Sequence, residues 1–143
     1  RDLHGKQHSF PPRRSSDLQY DAFDNLKILS KVRKTATDED INEALEKVGL
    51  HDVRKKKVKT YSLGMKQKLA IAQAIFEHPK LLLLDEPTNA LDEESIGNVR
   101  KLLLELKEKG VLIIIASHNK EDIELLSDVK IHMVDGCIKD EKR

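Results

Sequence analysis

The chain has 143 residues, enough for one domain with a proper core, and its 26 basic and 25 acidic residues leave a net charge of +1, which argues against a polyanion-binding surface spread over the molecule. Two Tyr, three Phe and no Trp are too few rings for the stacking platforms of single-stranded nucleic-acid binders, so no nucleic-acid partner is expected. The longest apolar run, residues 111–116, is far shorter than the ~20 residues of a membrane-spanning helix, and the lone Cys137 excludes an internal disulfide and fits a reducing compartment.

Residues 1–18 carry His and Pro clusters but no apolar period, and no hydrophobic core of a secretory signal. Residues 8–18 look like a translated sequencing adapter with one mismatch at Pro12, so a non-native leader is expected over 1–18. From Gln19 the sequence becomes orderly. Phe23, Leu26, Ile28, Leu29 and Val32 mark an amphipathic helix. Thr37 followed by Asp40 is a capping-box start, Ile41, Ala44, Leu45 and Val48 keep the helical period, and Gly49 is the stop. The basic run 54–59 reads as a solvated face.

Beyond it, helix and strand alternate. Ser62 caps a helix to about residue 77, and 80–84 is a short buried strand. Asp92 caps a helix to about residue 109, which Gly110 ends. Residues 111–116 are β-branched and apolar on both faces, as in a central parallel strand. A helix over 120–126 precedes a hairpin of 129–134 and 137–139, joined by Asp135-Gly136 as a type I′ turn. The order indicates an α/β core with a helical appendage and a C-terminal β-hairpin.

LLLLDEP over 81–87 puts Asp85 and Glu86 at the C-terminal end of a buried strand, where α/β proteins place their ligands. Taken alone, this is either a strand ending in a polar turn or an Asp suited to Mg²⁺ beside a Glu that can polarise water. YSLGM over 61–65 opens a helix, so Ser62 and the amides around Gly64 form either an ordinary N-cap or an anion site. Asn89, Ala90, Leu91 and Asp92 lead into the next helix as a loop and cap. His118, after Ser117, lies past the second strand, on the same rim as Asp85 and Glu86 if the strands are parallel.

These four elements, in this order, resemble the nucleotide-binding domain of ABC transporters. YSLGM is similar to that family's signature motif, LLLLDEP to its Walker B strand with the catalytic glutamate, NALD to its D-loop, and SH to its switch histidine. The resemblance covers residues 19–143, with 19–77 as helical subdomain and signature helix and 78–143 running from Walker B to the hairpin. It implies a P-loop NTPase core in which Asp85 serves Mg²⁺, Glu86 and His118 are catalytic, and His118 contacts the γ-phosphate of ATP. Ser62, Leu63, Gly64 and Met65 would contact ATP held by a second ABC subunit, with Asn89, Ala90, Leu91 and Asp92 at the dimer interface. The signature departs from the commoner LSGGQ at Tyr61, Leu63 and Met65, and its SLGM form resembles that of exporters.

No G-x-x-x-x-G-K-[ST] occurs, so the phosphate-cradling loop is missing and the chain reads as an incomplete, C-terminal part of the domain, expected to be inactive alone. The leading expectation is ATP hydrolysis coupled to export through a separate membrane permease, with the protein at the cytoplasmic face of the membrane. The alternatives are a soluble ABC ATPase of DNA repair or translation, and a regulatory half that completes a partner's site without hydrolysing.

Overall fold

A computed structural model of the chain describes residues 17–142. The leader expected over 1–18 therefore lies almost wholly outside the described residues. Its last two residues, Asp17 and Leu18, open a 3-10 turn at Asp17–Gln19, and Leu18 packs against the core, so the fold takes in two residues before Gln19.

Helix α1, Ala22–Arg33, starts where the Asp21 side chain accepts the Asp24 N–H at 2.7 Å. It buries Ala22, Leu26 and Ser30, whereas Ile28 and Val32, part of the expected apolar stripe, face outward. Helix α2, Asp38–Lys47, has the full reciprocal cap: Thr37 Oγ1 accepts the Asp40 N–H and Asp40 Oδ2 accepts the Thr37 N–H at 2.8 Å. Such a cap is worth about 1 kcal/mol. Gly49, at φ +72, turns the chain out of α2 in the left-handed region that favours glycine. Helix α3, Leu63–Ile75, ends two residues before the expected stop and packs against α2, which also contacts α1. Leu26, Ile41, Leu45, Leu69 and Phe76 are among the fully buried residues of this helical core.

Strand β1, Leu81–Asp85, leads through helix α4, Glu93–Glu108, to strand β2, Leu112–Ala116. The strands pair in parallel with Leu81 opposite Leu112 and Asp85 opposite Ala116, so both C-terminal ends open on one edge. Helix α5, Lys120–Leu126, packs on α4. Strands β3, Lys130–Val134, and β4, Cys137–Lys142, form the hairpin, with Asp135 and Gly136 both at positive φ as a type I′ turn requires.

One face of the β1–β2 pair meets the core through Leu82, Leu84, Ile113 and Ile115. The other is open, with Leu112 and Ile114 62% and 54% exposed. Residues 112–116 are thus covered on one face, not on both as their composition suggests. Among the described residues, β1 and β2 pair only with each other and the hairpin forms a separate sheet.

Candidate functional site

The parallel register is what assembles the site. Asp85 ends β1 and Ser117-His118 follows β2, so residues from both strands meet at one rim. The His118 N–H donates to Glu86 Oε1 at 2.9 Å, and the His118 ring Nδ1 contacts the same oxygen. That hydrogen bond, then the Glu86 charge, with Asp85 contributing further, raises the His118 pKa above its ordinary value. Asp85 is exposed at the strand end, and its carboxylate faces solvent beside Glu86.

Glu86 stands at φ +46, a left-handed conformation that costs an L-residue roughly 1–2 kcal/mol. Pro87 follows it, and a residue before proline is already steered away from helical backbone. Several bonds hold this turn. The Glu86 N–H donates to Ala116 O at 2.8 Å, and Glu86 O accepts the Asn89 N–H at 3.1 Å. From α3, Gln67 Nε2 donates to Glu86 O at 3.1 Å and to Pro87 O at 3.3 Å.

A buried ionic network fixes the next residue. Asp122, on α5, is 1% exposed; its Oδ2 accepts the Thr88 hydroxyl, and its Oδ1 accepts Arg100 Nε at 2.7 Å. Burial works against the Arg100 charge, but the hydrogen bonds it donates to Asp122 and Glu121 outweigh it and raise its pKa. Thr88 follows Glu86 by two residues and Asp122 follows His118 by four, so the network braces the two loops that carry the site. Gln67, Thr88, Arg100 and Asp122 are not singled out by sequence reasoning. An isolated Gln on a helix or Asp in a first turn has no distinguishing local pattern.

The YSLGM segment divides by environment. Tyr61 is buried, its hydroxyl donates to Val53 O at 2.7 Å, and burial raises its pKa. The first departure from LSGGQ is therefore a core residue of the helical part. Ser62 is exposed, and its hydroxyl oxygen caps α3 by accepting the Met65 N–H at 3.1 Å. Leu63 is 70% exposed, whereas the Met65 side chain packs against the core.

Asn89 is exposed, and Ala90, at φ +63, turns its carbonyl toward α3. A Cβ at Gly64 would stand 2.8 Å from the Ala90 oxygen, so the close approach of the two loops requires glycine. Leu91 packs against the core, and Asp92 caps α4 by accepting the Ser95 N–H at 2.8 Å. Its bonds from Ser95, followed by the charge of Lys68, lower the Asp92 pKa. Between these loops lies a cleft of about 480 Å³ lined by Ser62, Gly64, Met65, Lys68, Ala90 and Asp92.

The family model for ABC transporters matches residues 1–89, a span that includes the first 18 residues. The chain belongs to the ABC transporter family, as a portion of its ATP-binding domain. It is 54% identical over 121 residues to the uncharacterized ABC transporter ATP-binding protein YybJ of Bacillus subtilis (strain 168), covering 85% of this chain and 56% of that protein. The bacitracin transport ATP-binding protein BcrA of Enterococcus faecalis is 44% identical over 120 residues, covering 83% of this chain and 39% of its own length. A solved dimeric ATP-binding cassette in a post-hydrolysis state, bound to ADP and Pi, matches with a TM-score of 0.80 at 21% identity, over 96% of this chain and 60% of that one. The expected fold, a P-loop NTPase core of the ABC type that is incomplete relative to the full domain, is what the structure has. The chain spans little more than half of the first of these relatives and less of the second. No helix among the described residues is long and apolar enough to cross a membrane.

Proposed function

We propose that the protein carrying this chain is the ATP-binding and hydrolysing subunit of an ABC transporter, paired with a second ABC subunit and driving export through a separate permease at the cytoplasmic face of the membrane. The observation that carries this reading is the Glu86 carboxylate, held at the rim of two parallel strands by the His118 N–H. The bacitracin transport protein among the relatives supports a transport role, and the SLGM form of the signature supports export.

Both contacts from His118 converge on Glu86 Oε1, which leaves Oε2 as the oxygen to accept a proton from the attacking water. His118 is exposed beside it and would be the contact to the γ-phosphate in this reading. Asp85 fits Mg²⁺, because that ion takes one or two carboxylates and fills its other positions with water and phosphate oxygens; among the described residues no cluster of three ligating groups exists that would suit a metal held by protein alone. When bound, Mg²⁺ would offset the phosphate charge. Ser62, Leu63 and Gly64, at the exposed start of α3, suit contact with nucleotide held by the partner subunit, and Asn89 to Asp92 lie beside them along the cleft. The 143-residue chain itself, with no glycine-rich phosphate loop in its sequence, does not hydrolyse ATP alone in this reading.

The test is Glu86→Gln in the full-length protein. Removing a positioned proton acceptor lowers turnover by roughly 10²- to 10⁴-fold, and Mg-ATP binding measured by calorimetry persists. Wild-type turnover in that variant would remove Glu86 from the chemistry and favour the regulatory alternative.

A further inference from the structure

We infer that Gln67 is a positioning residue for hydrolysis, tying the helix that begins with the signature loop to the backbone of the catalytic turn. The inference rests on the proposed role of Glu86. The Gln67 amide nitrogen donates to two consecutive carbonyls, Glu86 O and Pro87 O, across 19 and 20 residues of sequence. Both partners are acceptors only, so the group facing them is the NH₂ and the amide orientation is set by chemistry.

The turn needs such a support. Glu86 is left-handed at φ +46 and precedes a proline, two conditions that disfavour its conformation. β1 ends at Asp85, so beyond the bond from the Glu86 N–H to Ala116 O the sheet gives this turn no further ladder bonds. The Asn89 N–H comes from the same loop and moves with it. Gln67 donates to the backbone of this turn from a separate rigid element. That element is α3, whose N-terminus carries Ser62 and Gly64, and Gly64 is itself packed against the Ala90 carbonyl. A displacement of α3 by a ligand at its N-terminus therefore reaches the Glu86 backbone through one side chain. Gln67 acts through Glu86 and does not touch the reacting atoms.

The experiment compares Gln67→Glu and Gln67→Ala with wild type in the full-length protein. Gln67→Glu keeps size but presents carboxylate oxygens to carbonyl oxygens; Gln67→Ala removes the tie. Both should lower kcat about 10- to 100-fold, as expected when a reacting group is displaced by about an ångström, and leave KM for Mg-ATP within about twofold. In a Glu86→Gln background, Gln67→Ala should change the residual single-turnover rate by less than about twofold, because the group it positions is gone. An equal fold-loss in both backgrounds, a raised KM with unchanged kcat, or wild-type kcat in Gln67→Glu would overturn the role. If Glu86→Gln itself turns over at the wild-type rate, the reading of Glu86 fails and this one with it. Loss in Glu86→Gln together with wild-type turnover in Gln67→Glu removes Gln67 alone.

Discussion

The backbone N–H of His118 donates to Oε1 of Glu86 at 2.9 Å although the residues are 32 positions apart. Because the donor is main chain, the bond does not depend on the side chain at 118, proline excepted, and the amide oxygen of Gln can replace the carboxylate oxygen at 86. Glu86→Gln in the full-length protein should therefore keep the turn's geometry and accumulate an ATP-bound dimer if hydrolysis is what reopens the pair. Adding Ser62→Arg puts bulk at the exposed start of α3, where the partner's nucleotide would sit, and should abolish that dimer. Size-exclusion chromatography with Mg-ATP separates the two; an Mg-ATP dimer that persists in the double variant would count against trans contact at Ser62.

Gly64→Ala places a methyl group 2.8 Å from the Ala90 carbonyl oxygen, closer than real Cβ contacts run. The obstacle is backbone in a left-handed turn, not a side chain that can swing away. Overpacking of this kind costs typically ~1–3 kcal/mol. Gly64→Ala should lower the Tm and widen the gap between the two loops, and a melting curve superposable on wild type would show that the approach is looser than described.

The elements with local caps were readable in advance. Thr37 with Asp40, and Asp92 at the start of α4, mark helix ends through bonds that span three residues, and the structure places those starts where the sequence does. Strand β1 begins one residue later than expected, since an apolar run does not say which residue finds a ladder partner. The outward positions of Ile28 and Val32 depend on what α1 packs against, and the open face of β2 on what lies beside the strand. That Asp85, Glu86 and His118 share one rim was legible, because each follows an apolar run and the two runs pair in parallel; the roles given to them come from the resemblance, not from that position. Gln67 was not, since its bonds reach 19 and 20 residues along the chain and leave no local pattern.

Asp122 is buried and holds both Thr88 and Arg100. Asp122→Ala leaves the Arg100 guanidinium, only 15% exposed, without its main acceptor. Breaking one side of a buried ion pair costs about 3–5 kcal/mol. Asp122→Asn keeps an acceptor oxygen and should cost less. Urea unfolding of the full-length variants checks the order; equal midpoints for wild type and Asp122→Ala would show that the network contributes nothing.

Asp40 is pulled down to about 2 from an ordinary 3.8, first by the hydrogen bond from His78 at 2.7 Å and then by the Thr37 N–H and hydroxyl. A carboxyl depressed in the folded state stabilises it at pH above the unfolded value, and that contribution fades as pH falls from about 3.8 toward 2. Asp40→Asn should flatten this limb of the stability profile and remove the salt bridge between α2 and the turn before β1. Unfolding midpoints measured between pH 5 and 2 test it, and an acid limb identical to wild type would assign the loss to other carboxyls.

The 143-residue chain produced by itself should self-associate. Leu112 and Ile114 lie side by side on the open face of β2, and Ile131, Met133 and Ile138 are exposed on the hairpin, with Met133 and Ile138 paired across it. Among the described residues each sheet has two strands, so every strand has an unpaired edge next to apolar side chains. Open edges and contiguous apolar surface are the two features that promote association between copies. Replacing both Leu112 and Ile114 by Thr puts a β-branched residue suited to a strand at each position while removing much of the apolar surface, and should shift the population toward monomer in multi-angle light scattering. The helical core around Leu45 and Phe76 is far from these substitutions in sequence and already buried, so helix content by circular dichroism should hold. A wild-type chain that runs as a monodisperse monomer and unfolds cooperatively would overturn the prediction, because it would mean that this apolar face tolerates water.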